Sequence, residues 1–217
     1  MNRGLFITFE GPEGSGKSTQ SKKVQERIAA RGIQTRWTRE PGGTPLGDKI
    51  RSILIDPENG GMADLTEVLL LAAGRNEHVD KVIAPGVEEG KVIVCDRFAD
   101  STLAYQGYGR GVSMDHLRYL HGMVTKGLAP DLTILVDIES ERGLARVKSR
   151  GEVQGGDRIE REEIDFHRRL RSGYLEMAGN YPERYEIVDG DRSLDEVFED
   201  ILTRLEKRFE LFRGKLL

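Results

Sequence analysis

Five short runs rich in β-branched and apolar residues punctuate the chain: Leu5–Phe9, Thr35–Thr38, Val92–Cys95, Leu132–Val136 and Tyr185–Val188. As a set they lack the in/out alternation of strands with one wet face, so they read as strands covered on both sides. Longer segments with helical apolar spacing separate them. Strands alternating with helices predict an α/β, three-layer fold with a mainly parallel five-stranded sheet, flanked by helices and joined by right-handed crossovers. No repeat, low-complexity tract or linker breaks residues 1–217, which predicts a single domain.

Two helices stand out. In Asp64–Glu89 the residues Leu65, Val68, Leu69, Ala72, Val79, Val82 and Ile83 recur at three- and four-residue spacing and predict one apolar stripe. Arg75, seven residues after Val68, falls at the edge of that packed side. Near the end, Ser193 with Glu196 three positions later has the pattern of a capping box, starting a helix that runs toward Arg213.

Composition narrows the classes. A chain of 217 residues can bury roughly 70 % of its unfolded surface without covalent staples. The formal charge of −4 argues against a nucleic-acid polymer as partner, because such binders need many cations to displace counterions. Small anions need only a local positive site. The 26 glycines, about 12 % against a usual ~7 %, point to open backbone. The single Cys95 excludes an internal disulfide and multi-cysteine zinc patterns, and its apolar run predicts inert core. The longest apolar stretch, Val68–Ala73, is far short of the ~20 residues that span a bilayer, and the N-terminus lacks a signal-peptide pattern. These features predict a soluble cytoplasmic protein without a membrane partner.

The first chemical motif is Gly11-Pro12-Glu13-Gly14-Ser15-Gly16-Lys17-Ser18, followed by Thr19. It matches G-x-x-x-x-G-K-[ST] and stands after a predicted strand and before a predicted helix, as a phosphate loop requires. Its glycines turn backbone N–H groups toward phosphate oxygens, and the helix N-terminus adds partial positive charge. Lys17 is the candidate for the β- and γ-phosphates and Ser18 for Mg²⁺. The N-K-x-D and D-x-x-G patterns of switch GTPases and the L-S-G-G-Q signature of transporter ATPases are missing. A kinase then needs an acceptor pocket and a flap that keeps water out.

Asp96-Arg97 ends the third run, at the sheet edge where open α/β folds bind ligands. Asp96 can hold a metal through water and Arg97 can clamp a phosphate. Arg97, Ser101 and Tyr105 are spaced i, i+4, i+8, so on a helix they share a face with Gln106 one step around. The stack can read a nucleotide lengthwise, with Gln106 offering a donor and an acceptor to a thymine or uracil edge.

These motifs, together with Thr38-Arg39-Glu40-Pro41-Gly42-Gly43-Thr44, Ala72-Ala73-Gly74-Arg75 and Asp157-Arg158-Ile159-Glu160, resemble thymidylate kinases in family order across nearly the whole chain. The resemblance implies a nucleoside monophosphate kinase-like fold and Mg²⁺-dependent transfer from ATP to dTMP by a homodimer. It implies that Glu13 contacts the acceptor 3′-hydroxyl, that Arg51 and Arg97 hold its phosphate, and that Arg75 meets a thymine carbonyl. Ser101 and Gln106 would lie at the base edge, and Tyr105 where a ribose 2′-hydroxyl would clash. Glu40-Pro41 resembles the family's loop beside the acceptor, where the proline is expected to be cis. Leu71 departs from the phenylalanine common beneath the base, with Phe98 as a possible replacement ring.

Between Arg146 and Arg161 the glycines Gly151, Gly155 and Gly156 interrupt a helical pattern, with Arg150 and Arg158 on either side. This predicts a lid over about 148–161 that carries cations to phosphates. The phosphate loop contains no arginine, which makes the chain similar to the bacterial subtype whose lid supplies one. The candidate catalytic cations are Lys17, Arg97, Arg150 and Arg158, with Arg146 near the adenine. His78, His116, His121 and His167 lack ligand spacing and read as structural or surface residues. Another nucleoside monophosphate kinase, acting on dUMP or UMP, is the rival within the class, and a P-loop switch without an acceptor the rival outside it.

Overall fold

The computed structural model describes residues 3–149 and 162–217. Five strands, β1 (Phe6–Glu10), β2 (Thr35–Arg39), β3 (Val92–Asp96), β4 (Leu132–Asp137) and β5 (Tyr185–Asp189), form one sheet in the order β2-β3-β1-β4-β5. Every pairing is parallel.

Strand periodicity divides the core into two layers. Ile7, Phe9, Val92, Val94, Leu132, Ile134 and Val136 face α1 (Lys17–Ala30) and α9 (Leu194–Arg208), packing on Val24, Ile28, Ile201 and Leu205. The alternate residues Phe6, Ile93 and Cys95 meet Val79, Ile83, Val87 and Phe98 on the opposite side, and Leu135 meets Tyr174 and Leu170 of α8 (Ile164–Asn180). Cys95 is a fully buried free thiol.

α2 (Pro45–Ile55) starts where Thr44 Oγ1 accepts the Gly47 N–H at 2.9 Å, with Pro45 in the first turn. The capping box of Ser193 and Glu196 forms, and α9 ends at Arg208. The long helix expected over Asp64–Glu89 is instead α3 (Asp64–His78), a π-helical turn at Val79–Ile83 and a short α4 (Ala84–Glu88). Pro85 has no N–H to offer the Lys81 carbonyl, which accounts for the changed pitch beside it. The predicted stripe also splits. Val68, Ala72, Val79, Val82 and Ile83 are buried, whereas Leu65 and Leu69 are 63 % and 51 % exposed. The remaining described helices are α5 (Ala99–Thr102), continued by a π-helical segment Leu103–Gly109, α6 (Met114–Thr125) and α7 (Ser140–Ser149). Among the described residues no helix is long and apolar enough to cross a membrane.

Candidate active site

A cavity of about 450 Å³ opens at the carboxyl ends of β1, β2 and β3. The phosphate loop forms one end of it, through Glu13, Gly14, Gly16, Lys17, Ser18 and Thr19, while Gly11, Pro12 and Ser15 lie buried behind. Gly14 is at φ 71°, and a Cβ there would come within 2.0 Å of the Gly143 carbonyl oxygen, so the loop rests directly on α7. Only glycine fits both demands. Lys17 is enclosed, donates to the Pro12 carbonyl at 3.0 Å and stands 4.0 Å from Glu13 Oε2. Burial, with the Arg97 charge added, pulls its ammonium down to about 8.

At the opposite side of the loop Arg97 takes a left-handed backbone, φ 67°, so the helix that follows begins only at Ala99. Arg97 therefore is not on the helix that the i, i+4, i+8 reading assumed, yet its side chain reaches the same partners. Its Nη2 donates to Glu13 Oε1 at 2.7 Å and its Nη1 to the Tyr105 hydroxyl at 2.7 Å, with Ser101 Oγ at 3.5 Å. Tyr105 in turn donates to Glu13 Oε1 at 2.5 Å. Burial works to raise the Glu13 carboxyl, but the Arg97 and Lys17 charges outweigh it and hold it at about 2.

The strained Arg97 turn is anchored from below by Glu10. One carboxylate oxygen accepts the Phe98 N–H at 2.7 Å; the other accepts the hydroxyls of Ser101 at 2.6 Å and Tyr174 at 3.0 Å. Burial, then the nearby Asp100 carboxylate, push Glu10 up to about 7. Asp96 is buried beside this turn, and its Oδ1 has no hydrogen-bond partner among the described residues.

The far wall carries Arg75, which is not at the edge of its helix but 4 % exposed. Its Nε donates to Glu40 Oε2 at 2.7 Å, and its Nη2 to the Phe98 carbonyl at 3.1 Å and Thr102 Oγ1 at 2.9 Å. Glu40 also meets His78 Nδ1 at 3.0 Å, and His78 Nε2 lies 2.6 Å from Thr38 Oγ1. Burial pushes the Glu40 carboxyl up, and Arg75 with His78 overcome this to leave it below the usual range. The Glu40–Pro41 peptide is cis, as the resemblance implied. Arg51 donates to the Pro41 carbonyl at 3.1 Å. Leu71 lines the cavity half-buried. Phe98 also borders the cavity, but it is 1 % exposed, with its ring packed edge-on against Phe6 and covered by the Arg75 guanidinium at 5.4 Å. Gln106 is buried, with its Nε2 donating to Glu67 Oε1 at 2.5 Å.

The cavity thus gathers Glu13, Lys17, Ser18, Glu40, Pro41, Arg51, Leu71, Arg75, Asp96, Arg97, Ser101, Tyr105 and Gln106. Arg146 does not line it; it donates to the Gly190 carbonyl at 2.7 Å and pairs with Asp191 at 3.3 Å. Arg150 and Arg158 lie outside the described residues, as does the expected lid apart from its first two positions. Of the histidines, His116 is exposed, His78 and His167 are enclosed, and burial lowers His121 to about 4.

Sequence reading missed Glu10, Glu67 and His78. Glu10 stands between the run Leu5–Phe9 and the loop motif, where no local pattern marks it. Glu67 had a usable signal, since it stands four before Leu71 and eight before Arg75 and so shares their helical face.

A phosphate loop confronting a second, arginine-lined end of one cavity, on an all-parallel α/β sheet, defines a nucleoside monophosphate kinase. The family model described as thymidylate kinase matches residues 9–201, and the chain belongs to that family. A thymidylate kinase from Pelotomaculum thermopropionicum is 45 % identical over 97 % of this chain and 96 % of its own. One from Deinococcus radiodurans is 44 % identical over 96 % and 99 %. The crystal structure of thymidylate kinase from Ehrlichia chaffeensis has a TM-score of 0.75 at 32 % identity, covering 94 % of this chain and 99 % of that one.

Proposed function

We propose that this chain transfers the γ-phosphoryl group of ATP to dTMP, giving ADP and dTDP, the step that leads toward dTTP. The observation that carries the reading is the two-ended cavity, with Lys17 and the loop at one end and Arg97, Tyr105, Leu71, Arg75 and Gln106 at the other. The loop amides and Lys17 hold the donor phosphates. Arg51 and Arg97 hold the acceptor phosphate, Glu13 meets its 3′-hydroxyl, Tyr105 crowds the 2′ position, and Leu71, Arg75, Ser101 and Gln106 surround the base.

An acceptor that is already a phosphate anion needs little deprotonation, so positioning and charge stabilisation do most of the work. Arg97 is suited to this because the Glu13 and Tyr105 contacts fix its guanidinium before substrate arrives. Arg150 and Arg158 would add cations from the lid.

The donor set suits Mg²⁺. Asp96 offers a buried carboxylate oxygen without a partner, Ser18 an exposed hydroxyl at the loop, and no cluster of three acidic or histidine ligands occurs among the described residues. Mg²⁺ prefers such a site, with one or two protein ligands beside phosphates and water. When bound it neutralises charge on the donor phosphates.

The proposed enzyme is a cytoplasmic homodimer. The exposed Leu65 and Leu69 of α3 and Tyr119 and Met123 of α6, on two helices that pack together, supply an apolar face for a second copy.

An ADP-release assay with ATP, Mg²⁺ and a panel of dTMP, dUMP, UMP, dGMP and AMP tests the function. Turnover is expected to be fastest with dTMP. Equal, slow release with every acceptor and with none would overturn the kinase reading.

A further inference from the structure

We propose that Glu67 is the positioning residue that sets base specificity: it fixes the Gln106 amide with its oxygen toward the acceptor's base, so the pocket demands a hydrogen-bond donor on the base edge and turns cytosine away. This rests on the acceptor reading given above.

The two side chains meet inside the protein. Glu67 is 1 % and Gln106 2 % exposed, both border the cavity, and Gln106 Nε2 lies 2.5 Å from Glu67 Oε1. A carboxylate only accepts hydrogen bonds, so the nitrogen of the amide must face it and the oxygen must face away. That oxygen is buried and has no hydrogen-bond partner among the described residues. Leaving a buried acceptor unpaired is costly unless a ligand completes it.

Glu67 is itself held. Arg110 Nε stands 3.5 Å from Glu67 Oε1, and its Nη2 is bound to Glu162 at 2.9 Å while the guanidinium lies 5.5 Å over the Phe166 ring. At that ion-pair distance the guanidinium faces the carboxylate oxygen that meets the Gln106 amide, an amide that could otherwise rotate by 180° at little cost.

Across the same pocket Arg75 can only donate, and its Nε and Nη2 are taken by Glu40, Phe98 and Thr102. The pocket, bordered by both side chains, therefore presents a donor and an acceptor. A thymine or uracil edge offers the complement, a carbonyl at C4 and an N–H at N3. Cytosine offers the reverse at both positions, an amino group facing Arg75 and a lone pair facing the Gln106 oxygen. Placing like against like is how a site rejects a near-isostere. Nothing in this pair senses the 5-methyl group, so it separates dTMP from dCMP and not from dUMP.

The test is the ratio of kcat/KM for dTMP to that for dCMP in wild type and in Glu67→Gln. The new amide can donate or accept, so Gln106 is no longer forced into one orientation. The ratio is expected to fall at least tenfold, with the dTMP KM rising more than kcat falls. Thermal melting shows whether the variant is folded. A folded Glu67→Gln that keeps the wild-type ratio overturns the role of Glu67 and leaves the acceptor reading standing. Wild type with no preference for dTMP over dCMP overturns the acceptor reading itself. If Glu67→Gln does not fold, Gln106→Leu removes the amide while leaving Glu67 its Arg110 partner. The same loss of ratio is expected there, and an unchanged ratio overturns the proposal.

Discussion

His78 and Glu40 meet where α3 ends and β2 gives way to the loop before α2: Nδ1 of the imidazole stands 3.0 Å from Oε1 of the carboxylate, and neither side chain is more than 5 % exposed. The contact locks the carboxylate that accepts from Arg75 Nε at 2.7 Å. Gly43, at φ 82°, makes room, because a Cβ there would sit 2.5 Å from His78 Nε2. Removing one partner of a buried ion pair leaves the other charge uncompensated, at a cost of about 3–5 kcal/mol. Glu40→Ala is therefore expected to lower the unfolding free energy in urea by that amount. His78→Phe loses two hydrogen bonds of a neutral or singly charged kind and should cost about 1–3 kcal/mol. A loss below 1 kcal/mol for Glu40→Ala would show that Phe98 and Thr102 alone suffice to hold Arg75.

Glu10 gives the pH prediction. Its folded-state pKa, near 7, is above the ordinary 4.5, so the folded protein binds the proton more tightly than the unfolded chain. The sign follows: this group's contribution is full below about pH 4.5 and is lost as pH rises through 7. The span corresponds to roughly 3 kcal/mol. His121, lowered to about 4, titrates in part of the same range and Glu13, held at about 2, below it; both are common to wild type and Glu10→Gln and cancel in the comparison. Wild type should lose roughly 3 kcal/mol relative to Glu10→Gln between pH 4.5 and 7.5 in urea titrations. Parallel pH curves for the two proteins would contradict it.

The inner strands β1, β3 and β4 were legible from sequence because each is a run buried on both faces. β2 and β5 lie at the sheet edges and are only partly covered, with Arg36, Arg39, Ile187 and Asp189 exposed, so the expectation of five fully covered strands fails there although their β-branched residues still marked them. The loop around Lys17 was legible because its glycines are dictated by backbone geometry. Leu65 and Leu69 were misplaced because an apolar stripe says that a face is covered, not what covers it. Arg97 was put on a helix by its spacing to Ser101 and Tyr105, whereas the contact to Tyr105 is made from a left-handed turn braced by Glu10, a long-range interaction that no local pattern encodes. Gln106 was read as offering both halves of its amide. Its nitrogen is already spent on Glu67, 39 positions away in sequence.

The lid arginines carry the catalytic prediction. Among the described residues the cations lining the cavity are Lys17, Lys22, Arg39, Arg51, Arg75 and Arg97, and of these Arg97 is bound to Glu13 and Arg75 to Glu40. Charge developing between donor and acceptor calls for a further cation, and an arginine clamp in comparable chemistry is worth about 10³–10⁵-fold. Arg158→Ala is expected to lower kcat by about 10³-fold or more while dTMP affinity, measured by calorimetry, stays within a few-fold. Unchanged turnover would remove Arg158 from the mechanism.

Leu71 offers a gain-of-affinity test. It lines the cavity half-buried, on the helical face shared with Glu67 and Arg75. On the proposed reading an aliphatic side chain there gives the base an apolar floor but no ring to stack on, and the Phe98 ring, although Phe98 borders the cavity, is already covered by Phe6 and by the Arg75 guanidinium 5.4 Å over it. Ring-on-ring contact is worth about 0.5–1.5 kcal/mol beyond area burial. Leu71→Phe is thus expected to tighten dTMP binding by about 2- to 12-fold, with dUMP gaining similarly because both bases present the same face. Calorimetric titration of both nucleotides reads this directly. Weaker binding to Leu71→Phe would mean that the larger side chain closes the slot, and that the base lies against another wall.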